Sequence, residues 1–191
     1  TVTLTKPLGS GVKHGVIELY RTIIGYHKGD YNLPKDEWEK HDGSEEGDWE
    51  NLGWSSTHMA VKIELPSKFI PDVNLIGKED PGIHTIIHVI ANAAKIVAKC
   101  EATDVEAYYE NGSIYLYDNT NEGANGVSQI IFENYEKIME TSRKLLDDCD
   151  CDKQQNPELG GCPRCTFTTG FCSTNNKDLI KKTAREFLNV L

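Results

Sequence analysis

The sequence predicts an α+β fold: an N-terminal β segment, a buried helix, a β-hairpin, and two C-terminal helices bracketing a four-cysteine knuckle. Three observations predict it. The first third holds β-branched and aromatic runs with alternating polarity, ending at Pro66. Stretches of the second half repeat apolar residues every three or four positions. Between the last two of these lie five of the six cysteines, from Cys149 to Cys172.

The elements follow in order. Residues 15–28 are rich in β-branched and aromatic side chains and read as strands with a break near Gly25. The acidic, glycine-containing stretch up to Gly53 reads as a loop, with Trp38, Trp49 and Trp54 on or beside it. Residues 57–65 alternate, with Val61, Ile63 and Leu65 on one face and Lys62 and Glu64 on the other, until Pro66 stops the strand. A helix runs from Pro81-Gly82 to about Lys99, its stripe formed by Ile83, Ile87, Ile90, Ala94 and Val97 and widened by Ile86 and Ala93. Residues 105–109 and 113–117 flank Asn111-Gly112, a tight hairpin-turn pair. A second helix spans about 128–148, with Ile131, Tyr135, Ile138, Met139, Leu145 and Leu146 inward. The last helix starts near Asn176, with Asn175 as cap, Asp178 in its first turn, and Leu179, Ile180, Ala184, Phe187 and Leu188 inward. Residues 1–66 are expected to form a β-rich connecting segment and residues 67–191 an α/β metal-binding domain.

The chain of 191 residues is long enough to bury a core without covalent staples. Its mean hydropathy is −0.48, and no run of apolar residues reads as a membrane span. Thr1-Val-Thr-Leu-Thr lacks the basic and apolar regions of a secretory signal. It also lacks a start methionine, so a piece of a longer protein is expected. The net charge of −10 argues against general affinity for nucleic acid. Nine acids between Asp30 and Glu50, against Lys35 and Lys40, carry seven of those ten charges, and the rest of the chain is nearly balanced.

Cys149-Asp-Cys151 followed by Cys162-Pro-Arg-Cys165 is the spacing of a tetrahedral metal site: each close pair supplies two thiolates, and the loop folds one pair over the other. Cys149, Cys151, Cys162 and Cys165 are the favoured ligands because the close pairs cost least entropy to unite. Cys172 is the reserve ligand or a bystander. Zn2+ is the favoured metal; an iron–sulfur cluster or disulfides are the alternatives. Without a signal sequence, such clustering reads as intracellular and cytoplasmic. A closed four-thiolate site leaves no position for water, so catalysis at the metal is not expected. Pro163 stiffens the second pair, and Gly160 and Gly161 let the backbone turn.

Other candidates are weaker. His84 and His88 stand four apart on the first helix, a chelating spacing, but packing histidines are the simpler reading. Asp118 reads as a turn former before a cation ligand. Residues 122–126 read as a helix-entry loop before a phosphate cradle. Lys177, Lys181, Lys182 and Arg185 would form a basic face on the last helix. No GxxxxGK[ST] motif or nucleophile elbow is present.

Taken with their order, these residues resemble the C-terminal zinc-binding region of the MrfA-type superfamily 2 helicases. Cys149-Asp-Cys151, Gly161-Cys162-Pro163-Arg164-Cys165, Cys172, Asn175 and Asp178-Leu-Ile-Lys181 are similar to that family's closing signature. Ile83-His84-Thr-Ile-Ile-His88 resembles its histidine-bearing helix, and Cys100, Asp104 and Ile114-Tyr-Leu-Tyr117-Asp118 match the stretches that follow. Upstream, Val2-Thr-Leu-Thr, Ile24-Gly-Tyr-His-Lys28, Leu33-Pro and residues 57–65 look like the segment joining the helicase core to the zinc domain. Two departures stand out. The loop Asn119-Thr-Asn-Glu-Gly-Ala-Asn-Gly126 replaces the family's Gly-Gly-x-Gly, and the insert at 153–159 is longer.

The resemblance implies an accessory zinc-binding domain of an ATP-dependent DNA helicase of the DNA-repair type. Such a domain would itself be no enzyme. It would pack against motor domains of the same polypeptide and help guide the translocating DNA, as a single strand. A free-standing zinc adaptor for a protein partner is the first rival. A hydrolase using His84, His88 and Asp118 around a second metal is the other.

Overall fold

The structure, a computed structural model, describes residues 2–6, 11–22, 26–28, 39–41, 53–67, 81–120, 124–151, 160–168, 179–189 and 191. Five antiparallel strands form the main sheet: β1 (Val2–Lys6), β2 (Lys13–Thr22), β5 (Gly53–Glu64), β6 (Val105–Glu110) and β7 (Ser113–Asp118), in the order β1-β2-β5-β7-β6. A small second sheet pairs β3 (Tyr26–Lys28) with β4 (Glu39–His41). Four helices complete the described residues: α1 (Pro81–Ala98), α2 (Val127–Glu133), α3 (Tyr135–Asp147) and α4 (Lys181–Leu188). The expected α+β class holds. Strands from both sides of residue 66 share the main sheet.

Alternation sorts the sheet into two faces. Val61 and Ile63 of β5 and Ile114 and Leu116 of β7 join the core that packs with α1, α3 and α4. Ile17, Leu19, Ala60, Tyr115 and Tyr117 form a separate buried cluster on the opposite face. There Arg21 donates to Ser56 Oγ (3.0 Å) and to the Tyr117 hydroxyl (3.0 Å), which donates to Glu106 (2.5 Å). Burial, then the bond to Glu106 and its charge, hold the Tyr117 hydroxyl well above the ordinary phenol range. It therefore stays protonated as the donor. At the β6–β7 hairpin, Asn111 (φ 49°) and Gly112 (φ 75°) supply the two positive φ angles of its tight turn.

The helix α1 is buried along Gly82–Ala91 as well as at Ala93 and Ala94. At 18 residues and mean hydropathy 1.2 it is long and apolar enough to cross a membrane, which corrects the reading that no such run exists. Here it is the core helix, because the sheet and α3 and α4 already cover it.

Other differences have local causes. The strand β5 begins at Gly53, so Trp54 is a strand residue opposite Arg21, half exposed at 53%. Residues 39–41 are a short strand within the stretch expected to be loop. The helix expected over 128–148 breaks at Asn134, which leaves helical geometry at φ −110° and ψ 21°; its backbone N–H (3.1 Å) and its side-chain amide (2.8 Å) both donate to the Ile130 carbonyl. The last helix starts at Lys181, not near Asn176: Ile180 is extended at φ −132° and ψ 93°, and is exposed rather than inward. Asn175 and Asp178 lie outside the described residues.

Candidate metal centre

Cys149 and Cys151 lie just beyond the end of α3, and Cys162 and Cys165 lie on a tight turn beside them. The carbonyl of Cys162 accepts the N–H groups of Cys165 (3.0 Å), Thr166 (3.1 Å) and Phe167 (3.1 Å), which closes that turn on itself. All four sulfurs lie within 4.8 Å of one another. The closer separations are 3.4 Å for Cys149–Cys162, 3.7 Å for Cys151–Cys165 and 3.8 Å for Cys162–Cys165. Four thiolates about 2.3 Å from a central zinc would stand about 3.8 Å apart at the corners of a tetrahedron. A disulfide requires about 2.05 Å, and all four are free thiols. Cys172 lies outside the described residues. Cys100, also a free thiol, is not in the group.

The donor chemistry calls for a cation. Burial raises the Cys149 thiol, but hydrogen bonds from the Cys151 backbone and from the neighbouring thiols outweigh it and bring the value down to about 7. Burial pushes Cys165 up to about 12. Four sulfurs this close cannot ionise together unless positive charge sits between them, and a divalent ion supplies it.

The surroundings hold the turn in place. Gly161 has φ 144°, and a Cβ there would lie 1.8 Å from Thr166 Oγ1. A Cβ on Gly160 would lie 1.7 Å from the Leu179 carbonyl oxygen. Glycine is thus required at Gly160 by close approach, and at Gly161 by close approach and positive φ together. From below, α1 presents Thr85, His88 and Asn92 along one stripe. His88 donates Nδ1–H to the Thr166 carbonyl (3.0 Å), and Asn92 donates to the Phe167 carbonyl (2.9 Å). Thr85 Oγ1 accepts the Ile180 N–H (2.7 Å) at the entrance to α4. The helix therefore bonds to both the cysteine turn and the last helix. The polar spacing 85, 88, 92 in an otherwise apolar helix was the available signal, and sequence reasoning used only its histidine.

The remaining candidates sort out clearly. His84 and His88 lie edge to face at 4.5 Å, and His88 acts through its bond to Thr166. Asp118 is fully buried, and its carboxylate accepts the N–H groups of Asn125 (3.0 Å), Gly126 (3.1 Å) and Ser128 (2.6 Å). It therefore anchors the entry to α2, and the amides of that entry go to a carboxylate of the chain rather than to a phosphate. Glu122 and Gly123 lie outside the described residues. Among the described residues, no metal-ligating group includes Asp118 with the two histidines.

Among the described residues, the expected basic face on the last helix is reduced to Lys182. Lys177 lies outside the described residues, and Lys181 is buried. Arg185 is turned to the Leu146 carbonyl (2.7 Å), leaving Lys182 outward. Lys181 Nζ instead donates to the Cys149 carbonyl and stands 3.6 Å from Cys151 Sγ. This is a neighbour of the sulfur cluster that sequence reasoning missed.

Comparison with known proteins agrees with this geometry. The family profile of the MrfA Zn-binding domain matches residues 86–166, a span that contains the four clustered cysteines and excludes Cys172. Uncharacterized protein MJ1572.1 of Methanocaldococcus jannaschii is 31% identical over 119 residues, which cover 57% of this chain and 98% of that protein. In fold, the chain is similar to the crystal structure of the DUF1998 helicase MrfA bound to DNA, with a TM-score of 0.65 and 18% identity. That match covers 99% of this chain and 24% of the helicase chain, so this chain spans about a quarter of that protein's length. The all-cysteine donor set and the zinc-binding family agree on zinc as the metal. The chain belongs to one family with MJ1572.1 and carries an MrfA-type zinc-binding region.

Proposed function

We propose that Cys149, Cys151, Cys162 and Cys165 hold one structural zinc, and that the zinc fixes the last helix of a helicase accessory domain. The carrying observation is the convergence of these four sulfurs within 4.8 Å inside the matched zinc-binding span. With thiolates in all four positions, the metal offers no place for water or substrate, so it rigidifies and does not catalyse. The accessory role rests on the fold likeness to a DNA-bound helicase that is about four times longer. In this reading motor domains that bind and hydrolyse ATP stand elsewhere in the assembly. The present domain packs on them and helps guide a translocating single strand during DNA repair, in the cytoplasm.

The direct experiment is elemental analysis of the purified chain and of Cys149→Ser and Cys165→Ser. One zinc per wild-type chain, lost in both variants, is expected. Unchanged zinc and melting temperature in the variants would sink the ligand assignment. For the DNA role, single-strand affinity of the domain joined to its motor should fall steeply with salt. A flat response would count against backbone contacts.

A second reading is a free-standing zinc module that binds a protein partner. One observation favours it: the match to MJ1572.1 takes in 98% of that relative, which therefore consists of little besides this domain. Motor motifs in the reading frame upstream of Thr1 would decide for the helicase, and a start codon at this boundary for the module.

A further inference from the structure

Lys181 is the first residue of α4, and it is only 4% exposed. Two general rules oppose a lysine there. The first turn of a helix carries partial positive charge and disfavours a cation, and α4 has no acidic residue in that turn to offset it. A buried ammonium is also costly unless it meets acceptors and negative charge. Lys181 meets both at the cysteine cluster, through the Cys149 carbonyl and Cys151 Sγ at 3.6 Å. Cys151 is the most exposed of the four ligands, while Cys162, Cys149 and Cys165 are exposed by only 9%, 4% and 0%.

We propose that Lys181 is the outer cation of the zinc centre, bonded to the Cys151 sulfur and compensating part of the site's charge. The inference rests on the reading of the four cysteines as zinc ligands. A divalent zinc with four thiolates has a formal charge of minus two, and the ammonium brings the enclosed site to minus one. A hydrogen bond from a cation lowers the nucleophilicity of a thiolate and offsets the mutual repulsion of the four sulfurs, which stabilises the filled coordination shell. It does so here at the most exposed of the four cysteines, the one most open to a chelator or an oxidant. Because Lys181 opens α4, the same contact fastens the last helix to the metal.

The test compares the zinc-loaded full chain with Lys181→Met and Lys181→Arg, at fixed pH. Zinc transfer to a chromophoric chelator is followed in time. Cobalt(II) is then substituted and the sulfur-to-cobalt charge-transfer bands are recorded. Lys181→Met should keep one zinc but release it roughly tenfold faster, the scale of losing an outer-shell partner. Its cobalt bands should move to longer wavelength, because the sulfur lone pairs lose a stabilising cation. Lys181→Arg should restore both values. A merely structural lysine would leave the bands in place. Release within about twofold of wild type, with unmoved bands, overturns the proposal while the zinc assignment stands; a wild-type chain without stoichiometric zinc overturns both. Should Lys181→Met fail to fold, Lys181→Gln is read by the same two criteria.

Discussion

Arg143 and Arg185 cap each other's helices. Arg143 of α3 donates Nε–H to the Leu188 carbonyl at the end of α4 (2.8 Å), and Arg185 of α4 donates Nη2–H to the Leu146 carbonyl at the end of α3 (2.7 Å). The last carbonyls of a helix lack intrahelical partners and form its negative pole. The two helices pass each other in opposite directions, so the α3 pole lies one turn before Cys149 and the α4 pole beside Arg143, and each is met by the other helix's guanidinium. Arg185 also lies 3.6 Å from Asp147. Arg143→Ala and Arg185→Ala should each cost about 1.5–3 kcal/mol, as single bonds to charged groups do. Because both serve one junction, the double variant should depart from the sum of the singles. Urea denaturation of the four members of that cycle checks this, and strict additivity would refute a shared junction.

The glycine pair is a steric requirement of the cysteine turn. Gly161→Ala places its methyl against Thr166 at positive φ, and Gly160→Ala places one against the Leu179 backbone. Neither neighbour is the free end of a long side chain, so the turn itself must shift. Each variant should lose more than about 2 kcal/mol, in the range of strained or overpacked sites. Zinc stoichiometry and melting temperature are the readouts. Full zinc content with an unchanged melting temperature in either variant would contradict this geometry.

Much of this was legible because it is local. Asn111-Gly112 announces a turn by its own φ requirements, the α1 stripe repeats at helical spacing, and the two close cysteine pairs announce a metal site. What was not legible depends on distant partners. Asp118 reads as a turn former, yet its carboxylate reaches three amides seven to ten residues on. Lys181 reads as a surface charge by residue type, yet it is buried and its ammonium reaches Cys149 and Cys151, thirty and more residues away in the chain. The break at Asn134, where the side-chain amide joins the backbone N–H on the Ile130 carbonyl, is a departure that apolar periodicity does not register.

Asp118→Asn separates an anchor from a metal ligand. Its carboxylate accepts three backbone N–H groups and has no solvent exposure. An amide offers one oxygen and would turn a donor toward amides. The variant should lose about 2–3 kcal/mol, since buried donors are left unsatisfied, while zinc stays at one per chain. Loss of a metal equivalent would instead revive a second site.

His88 gives the fold a dependence on acid. Burial, followed by the charge of His84, lowers its pKa from 6.5 to about 4, against the raising effect of the bond to Thr166. A folded value below the unfolded one means that the unfolded chain binds the proton first. The stability from neutral His88 is thus complete above pH 6.5 and declines as pH falls toward 4. The imidazole proton shift, followed by NMR in the zinc-loaded chain, should have its midpoint well below 6. A midpoint near 6.5 would show that the ring is solvated rather than buried.

Removal of zinc should unfasten one side of the molecule before the other. The cysteine turn, Lys181 and the entrance to α4 are joined through the sulfur cluster and Thr85. The strands β5, β6 and β7 are instead held by their own ladder and by the α1 core. Local openings follow such cooperative units. On chelation, amide hydrogen exchange should rise first in α4 and in residues 160–168, while the amides of β7 keep their protection. Four free thiols per site should become titratable at the same time. Uniform loss of protection across the sheet would mean that the zinc holds the whole fold, and unchanged exchange in α4 would mean that it holds none of it.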